Sequence, residues 1–362
     1  MKMNRIFLPV LGWLLTLNLV GQVPAGYYTG TTGLYGNALK SALHQVIQGH
    51  TPVAYTQLFT CFATTDDRPN GSVWDMYSDN PGGTPPYVYY FVPSDQCGNY
   101  SQEGDCFNRE HSFPKSWFGG DIMPMYSDLF HLYPTDGYVN GQRGNLPYGE
   151  TSNPDWTSLN GSKRGPSSVP GYTGNVFEPI DEYKGDLART YFYMAVRYYS
   201  EDLSWPGSPM TNGAQPTSWA LSMLLQWHQA DAVSQKEIDR NNAVYSYQGN
   251  RNPFIDTPYF AERIWVTSAG SLSGFQEENR WIVYPQPARE DIFLRASEPL
   301  DRDRTIVIRD ALGRTAAEHS MKTGTTELRI PRASLPAGMY TLCIDGAKGR
   351  FPVYKKVLII SR

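Results

Sequence analysis

One stretch limits the folds open to this chain more than any other. It runs from Phe107 to Glu150: FNREHSFPKSWFGG, a short variable piece, then SDLFHLYPTDGYVNGQRGNLPYGE. The two quoted pieces hold the pair Glu110-His111, a second histidine at 131, two Arg, two Asp and three Asn. Metal-assisted phosphate chemistry uses this kit: a hard cation on oxygen ligands, a base poised near neutral pH, and a cation for developing charge.

The chain around His111 reads as a strand that ends before Ser112-Phe113-Pro114. Neighbours on a strand point to opposite faces, so Glu110 and His111 share one cavity only if the strand ends or twists there. Leu132-Tyr133-Pro134-Thr135-Asp136 reads as a helix start, with Thr135 or Asp136 as N-cap. Asn140 and Arg143 then sit at i and i+3 on one face of a short helix. An Asn oxygen is a legitimate ligand for Mg²⁺ or Ca²⁺, although Asn140 could also be a cap or turn residue. A strand with a His base beside a helix with an Asn ligand describes a ββα-metal finger. Asp128 is open among three roles: N-cap, supporting acceptor and ligand.

Four motifs occur in order: NREH-x-x-P-x-SWF, D-L-x-x-L-x-P-x-x-x-x-VN-x-x-R-x-N, ARTYFYM at 188–194 and QGNRNPF at 248–254. On these the chain resembles the endonuclease I family of secreted bacterial nucleases, over roughly residues 27–265. The resemblance implies an α+β nuclease domain that cleaves DNA, and RNA as well, without sequence preference. It implies His111 as general base and Glu110 and Asn140 as ligands of one Mg²⁺, with Ca²⁺ or Mn²⁺ as alternatives. Arg143 and Asn145 would support the site or the phosphates. The chain has Phe130 where family members often carry His, which leaves His131 to orient the site. No Arg lies between Ser112 and Asp128, where better-studied members place one against the scissile phosphate. Arg109, Lys115 and Arg143 are the candidates for that cation.

Residues 1–21 read as an export signal, with Lys2 and Arg5 before an apolar run too short to span a bilayer. Cleavage is expected between 21 and 25, and a catalytic domain over 26–268. Within it, Leu39, Leu43, Val46 and Ile47 mark an opening helix over 36–48, and Val88 to Val92 a β run leading to the site. Residues 185–200 read as a helix with an apolar stripe of Leu187, Tyr191, Met194, Ala195 and Tyr198. Arg189 on it could face the site or form a surface ion pair. Another helix follows over 217–229, and Ser234-Gln235-Lys236-Glu237 is a capping box that opens a third. The polar loop Asn250-Arg251-Asn252 suits phosphate or site support. In an exported protein Cys97 and Cys106 could close a local disulfide, with Cys61 as a rival partner.

Residues 269–281 are Ser/Gly-rich and read as a linker. From 282 to 362 the chain is all-β in character, a small sandwich. Tyr284-Pro285-Gln286-Pro287-Ala288, Asp310-Ala311-Leu312-Gly313 and the closing Lys355-Lys356-Val357-Leu358-Ile359 resemble the C-terminal sorting domain of type IX secretion in Bacteroidetes. That resemblance implies secretion machinery as a partner and a secreted or cell-surface location. An Ig-like binding module is the alternative. No membrane span is expected in the mature chain, which should be a monomer.

Charge limits the binding mode. Residues 282–362 carry 14 Lys and Arg against 9 Asp and Glu, and residues 22–281 carry 15 against 26. A nuclease domain at −11 is a poor footprint for tight, processive or sequence-specific binding. It fits a transient enzyme whose local field comes from a divalent cation and a few arginines. The missing His at 130, the acidic domain and the absent Arg also support another class of function, a non-catalytic surface-binding protein on a nuclease fold. A metallopeptidase lacks its HExxH.

Overall fold

The computed structural model describes residues 23–266, 281–310, 314–345 and 353–360. The expected export signal lies outside the described residues, as do 267–280, most of the expected linker. The chain divides into two compact units at Ala261/Glu262.

In the first unit, Leu39, Leu43 and Ile47 are buried along α1 (Gly36–Ile47), as their spacing predicts. α2 (Leu58–Thr65) follows. The run Val88 to Val92 is not a strand. Tyr89 packs in a small apolar cluster with Val73 and Phe107, joined by Tyr87 and Phe91, while Val88, Tyr90 and Val92 face outward. The two-residue alternation is therefore real. However, the run meets other backbone at one isolated bridge, Ser72 to Tyr90, so no ladder forms.

β1 (Phe107–His111) and β2 (Leu132–Asp136) pair antiparallel, with Glu110 opposite Tyr133 and His111 opposite Leu132. α3 (Gly137–Arg143) starts directly at the end of β2. Asp136 is its N-cap, accepting from the Val139 N–H at 2.8 Å. Leu132 to Thr135 are thus strand, and the helix opens only at their end. The Cys97–Cys106 disulfide sits just upstream of β1, and Cys61 and Cys343 are free thiols.

β3 (Trp156–Thr157), β4 (Lys163–Pro166) and β5 (Asn175–Glu178) form a small antiparallel sheet. α4 (Lys184–Arg197) follows. Then come the hairpin of β6 (Thr211–Asn212) and β7 (Gln215–Pro216), α5 (Ser218–Ala230), α6 (Gln235–Gln248), α7 (Pro253–Asp256) and α8 (Phe260–Trp265). Every residue of α4 is buried, so the expected apolar stripe is only part of its packing surface. The helix lies in the middle of its unit and tolerates burial on all sides because its charges are paired. The Ser234–Glu237 capping box opens α6 as expected, and Gly249 closes that helix at φ 73°.

The second unit has seven described strands: β8 (Trp281–Tyr284), β9 (Ile292–Ala296), β10 (Arg304–Asp310), β11 (Thr315–Met321), β12 (Glu327–Ile330), β13 (Gly338–Ile344) and β14 (Val353–Ile359). Trp281, expected to close the linker, belongs to β8. Two sheets, β11-β10-β13-β14 and β12-β9-β8, share an apolar core that includes Trp281, Leu294, Ile306, Leu342 and Val357. This is the expected sandwich. β11 has no signal in the sequence, because TAAEHSM carries no apolar alternation. It is an edge strand held by its ladder to β10. The α+β architecture of a mixed unit followed by an all-β one stands.

Candidate active site

β1 sorts its residues by alternation: Asn108 and Glu110 turn toward α3, Arg109 and His111 to the other face, and His111 is the last residue of the strand, the end at which both faces can border one cavity. Glu110 is 3% exposed and lies against α3. Its Oε1 accepts from Tyr77 Oη at 2.9 Å and from Arg143 Nη1 at 2.7 Å. Tyr77 Oη is also within 2.7 Å of Tyr148 Oη. Burial pushes the Glu110 carboxyl up, opposed by the Arg143 charge and the Tyr77 hydroxyl. Asn140, one turn before Arg143, donates from Nδ2 to Asn108 Oδ1 at 2.7 Å. Its oxygen is therefore the atom left for a ligand.

Arg143 itself is fully buried. It donates to the carbonyl oxygens of His111 at 2.9 Å, Ser112 at 2.7 Å and Leu146 at 3.2 Å, in addition to Glu110. Expected as a catalytic cation, it instead fixes the end of β1 and the Glu110 carboxylate, because each of its three nitrogens donates inside the protein. Asn145 is exposed in the turn after α3.

On the other face, His111 Nε2 lies 3.0 Å from the carbonyl oxygen of Tyr126. A carbonyl can only accept, so Nε2 carries the proton and Nδ1 holds the lone pair. Burial, then His131, pushes His111 down to about 3, with Lys115 and Arg109 adding to the effect. The imidazole is neutral at physiological pH. Its ring stacks on Tyr126 with centroids 5.4 Å apart, and Tyr126 stacks on Tyr55 at 4.0 Å. The Arg109 guanidinium lies over Tyr55 at 4.1 Å and over Phe59 at 4.7 Å, and its Nη1 donates to the Tyr55 carbonyl at 3.2 Å.

His131 backs His111, ring centroids 5.5 Å apart, and its Nε2 donates to the Met125 carbonyl at 2.7 Å. Phe130 packs on Tyr193 at 4.6 Å. Asp128 is fully buried and accepts from Tyr193 and Tyr198, both at 2.8 Å, and from Gln248 and the Phe130 N–H, both at 3.0 Å. Burial alone would raise its carboxyl. His50, His131 and these donors hold it down to about 2. Of its three open roles, the structure gives Asp128 that of supporting acceptor. Asn250 joins this network by donating to Tyr193 Oη at 2.8 Å.

Two arginines expected near the site are elsewhere. Arg189 is buried in an ion-pair cluster with Glu237, Asp186 at 3.4 Å and the Asp231 carbonyl at 2.7 Å. Arg251 is held by both oxygens of Asp256, at 2.7 Å each, and by Asn242. Arg189 is drawn chiefly to acceptors far away in sequence, Glu237 and Asp231, and Arg251 to Asp256, five residues on. Conversely, no local motif marks Tyr55, Tyr77, Tyr126 and Tyr148 as site residues. Their common signal is only the chain's richness in tyrosine.

Among the described residues there is no group of three or more His, Cys, Asp or Glu side chains able to hold a metal. An all-protein cage of the kind Zn²⁺ takes is therefore not available there. One carboxylate and an amide oxygen suit Mg²⁺, which keeps several waters and takes its remaining oxygens from substrate phosphate. Tyr77 and Arg143 orient the Glu110 carboxylate as outer partners of a ligating carboxylate do. The donor set fits such a cation.

The Endonuclease I family matches residues 35–259, and the secretion system C-terminal sorting domain matches 282–360. An extracellular ribonuclease of Bacillus amyloliquefaciens is 40% identical over 248 residues, covering 66% of this chain and 78% of its own. One from Bacillus subtilis (strain 168) is 36% identical over the same shares. An extracellular deoxyribonuclease of Aeromonas hydrophila is 26% identical over 133 residues, 36% of this chain and 50% of its own.

Proposed function

This chain belongs to the Endonuclease I family and is a secreted nuclease, and we propose that it cuts DNA and RNA without sequence preference, using His111 as general base beside one divalent cation on Glu110 and Asn140. The observation that carries the reading is the bond from His111 Nε2 to the Tyr126 carbonyl. It leaves Nδ1 unprotonated, and burial keeps the ring neutral.

Nδ1 takes a proton from a water as its oxygen attacks phosphorus. The new P–O bond forms in line with the bond to the 3′ oxygen, which breaks. The products are a 5′-phosphate and a 3′-hydroxyl, the latter protonated from solvent. Mg²⁺, when bound, neutralises charge growing on the phosphoryl and leaving oxygens. Ca²⁺ and Mn²⁺ meet the same oxygen donors. Arg143 and Tyr77 hold Glu110 in place. Arg109, on the His111 face of β1, supplies positive charge toward the phosphate. The names of the relatives, ribonuclease and deoxyribonuclease, support action on both sugars. The acidic nuclease domain supports weak, salt-sensitive binding.

Plasmid DNA and a long RNA incubated with the purified protein test this. Cleavage of both in Mg²⁺, abolished by a chelator and restored by added metal, is the expected result. Undiminished cleavage in chelator would overturn the metal role. No cleavage in Mg²⁺, Ca²⁺ or Mn²⁺ would leave only a binding protein on this fold.

A further inference from the structure

The two proposed cation ligands stand on different elements, and each needs its own device to hold it. Glu110 has Arg143 and Tyr77. Asn140 poses a separate problem. The last torsion of an Asn side chain is soft and roughly two-fold, so its oxygen and nitrogen can trade places at little cost. Only the oxygen can bind a cation.

The backbone under Asn140 is fixed by the segment before β1. The Gly137 N–H, at the start of α3, donates to the Cys106 carbonyl at 2.9 Å. Asp136, the N-cap, accepts from the Gly104 N–H at 2.9 Å. Tyr100 packs so closely on α3 that a Cβ at Gly137 would sit 2.5 Å from its ring. None of these contacts reaches the Asn140 carboxamide.

Asn108 does reach it. It stands opposite Thr135 in the ladder of β1 and β2, and Thr135 is two residues before α3 begins, which sets Asn108 beside the first turns of that helix. Its Oδ1 accepts from Asn140 Nδ2 at 2.7 Å, and among the described residues neither carboxamide makes another hydrogen bond. Both side chains are half-buried. A carboxylate at 108 would orient Asn140 as well, but it would add a second negative charge to the face that carries Glu110. The amide orients without adding charge, which keeps the site open to a phosphate oxygen.

Resting on the cation reading above, we infer that Asn108 is a positioning residue for the metal: its Oδ1 locks the Asn140 carboxamide with the oxygen toward the cation, and as a neutral amide it does so without a second anionic group at the site.

The test reads metal binding and needs no turnover. Mn²⁺ is titrated into the purified protein without nucleic acid, the free ion being followed by electron paramagnetic resonance. Wild type is compared with Asn108→Ala, Asn108→Asp, Asn140→Ala and the double variant Asn108→Ala/Asn140→Ala. Asn108→Ala should weaken binding roughly 10–100-fold, the usual cost of removing the partner of a ligating group. Asn108→Asp still accepts from Nδ2 and should bind Mn²⁺ at least as tightly as wild type, yet cleave more slowly because its charge opposes the phosphate. The double variant should bind no more weakly than Asn140→Ala, since both substitutions remove the same ligand. Unchanged affinity in Asn108→Ala would overturn the inference, and so would weaker binding in Asn108→Asp. Additive losses in the double variant would also overturn it, by making Asn108 a ligand in its own right. Failure of the cation reading shows separately: wild type would bind no Mn²⁺, or Asn140→Ala would bind it as tightly as wild type.

Discussion

Arg143 Nη1 donates to Glu110 Oε1 at 2.7 Å across the junction of β1 and α3, with both side chains buried. The same guanidinium holds the carbonyls of His111 and Ser112. One side chain therefore ties the strand end, the carboxylate and the helix into a single rigid unit.

Removing it should destabilise the fold. Arg143→Met leaves a buried carboxylate without its cation, which costs about 3–5 kcal/mol. Arg143→Lys should recover little, because an ammonium cannot reproduce the fork that meets three carbonyls and Glu110. Urea unfolding measures both. A loss below about 1 kcal/mol for Arg143→Met would contradict the assignment.

Arg189 should behave differently from a site residue. Arg189→Gln should cost about 3 kcal/mol, since Glu237 and Asp186 lose a buried partner. At temperatures where the variant stays folded, kcat/KM should remain within about threefold of wild type. A folded variant slowed about a hundredfold would place Arg189 in the chemistry after all.

These two arginines show where sequence legibility ends. The strand at His111, the short helix with Asn140 and Arg143, the α6 capping box and the burial of Leu39, Leu43 and Ile47 follow from local pattern, whereas Leu132 to Asp136, which read as a helix start, are the second strand. Which side of β1 each residue faces was readable too, from alternation. What could not be read is which distant acceptor claims a buried cation. Arg189 is held by Glu237 and Asp231, 48 and 42 residues away in sequence. The Val88 to Val92 run failed for a related reason: its alternation is local, but a strand needs a partner, and the chain supplies one bridge. Motif QGNRNPF suited phosphate or site support because it is polar, and the structure gives it the supporting part and no phosphate-facing one. Its Gln248, Asn250 and Asn252 satisfy Asp128, Tyr193 and the N-terminus of α7.

Asp75 gives a pH signature. Its carboxylate accepts from the Tyr77 and Asp136 N–H groups at 2.8 and 2.9 Å, and burial with the nearby Asp136 charge raises it to about 7. A folded value above the unfolded 3.8 means the stabilising contribution is complete below about pH 4 and is lost as pH rises through 7. Asp75→Asn does not titrate. The stability of wild type relative to this variant should therefore fall by ~1.4 kcal/mol per pH unit between pH 4 and 7. Denaturant melts across that range read it, and a constant difference would contradict it.

The C-terminal sandwich should be dispensable for catalysis. It builds its own core from both sheets, and its carboxylates are scattered. A chain ending at Asn279 should retain full nuclease activity in vitro, yet stay in the periplasm of its host instead of reaching the surface or medium. A folded truncated enzyme that loses most of its turnover would show that the sandwich contributes to the substrate groove.

The most direct measurement concerns His111. His111→Gly should slow cleavage by about 10²–10⁴-fold, with the fold intact by circular dichroism and with KM little changed. Added imidazole should restore part of the rate in proportion to the concentration of its neutral form, because the missing group is a neutral base. Cleavage by His111→Gly at the wild-type rate, or a loss that imidazole does not touch at any pH, would contradict the assignment of His111 as the base.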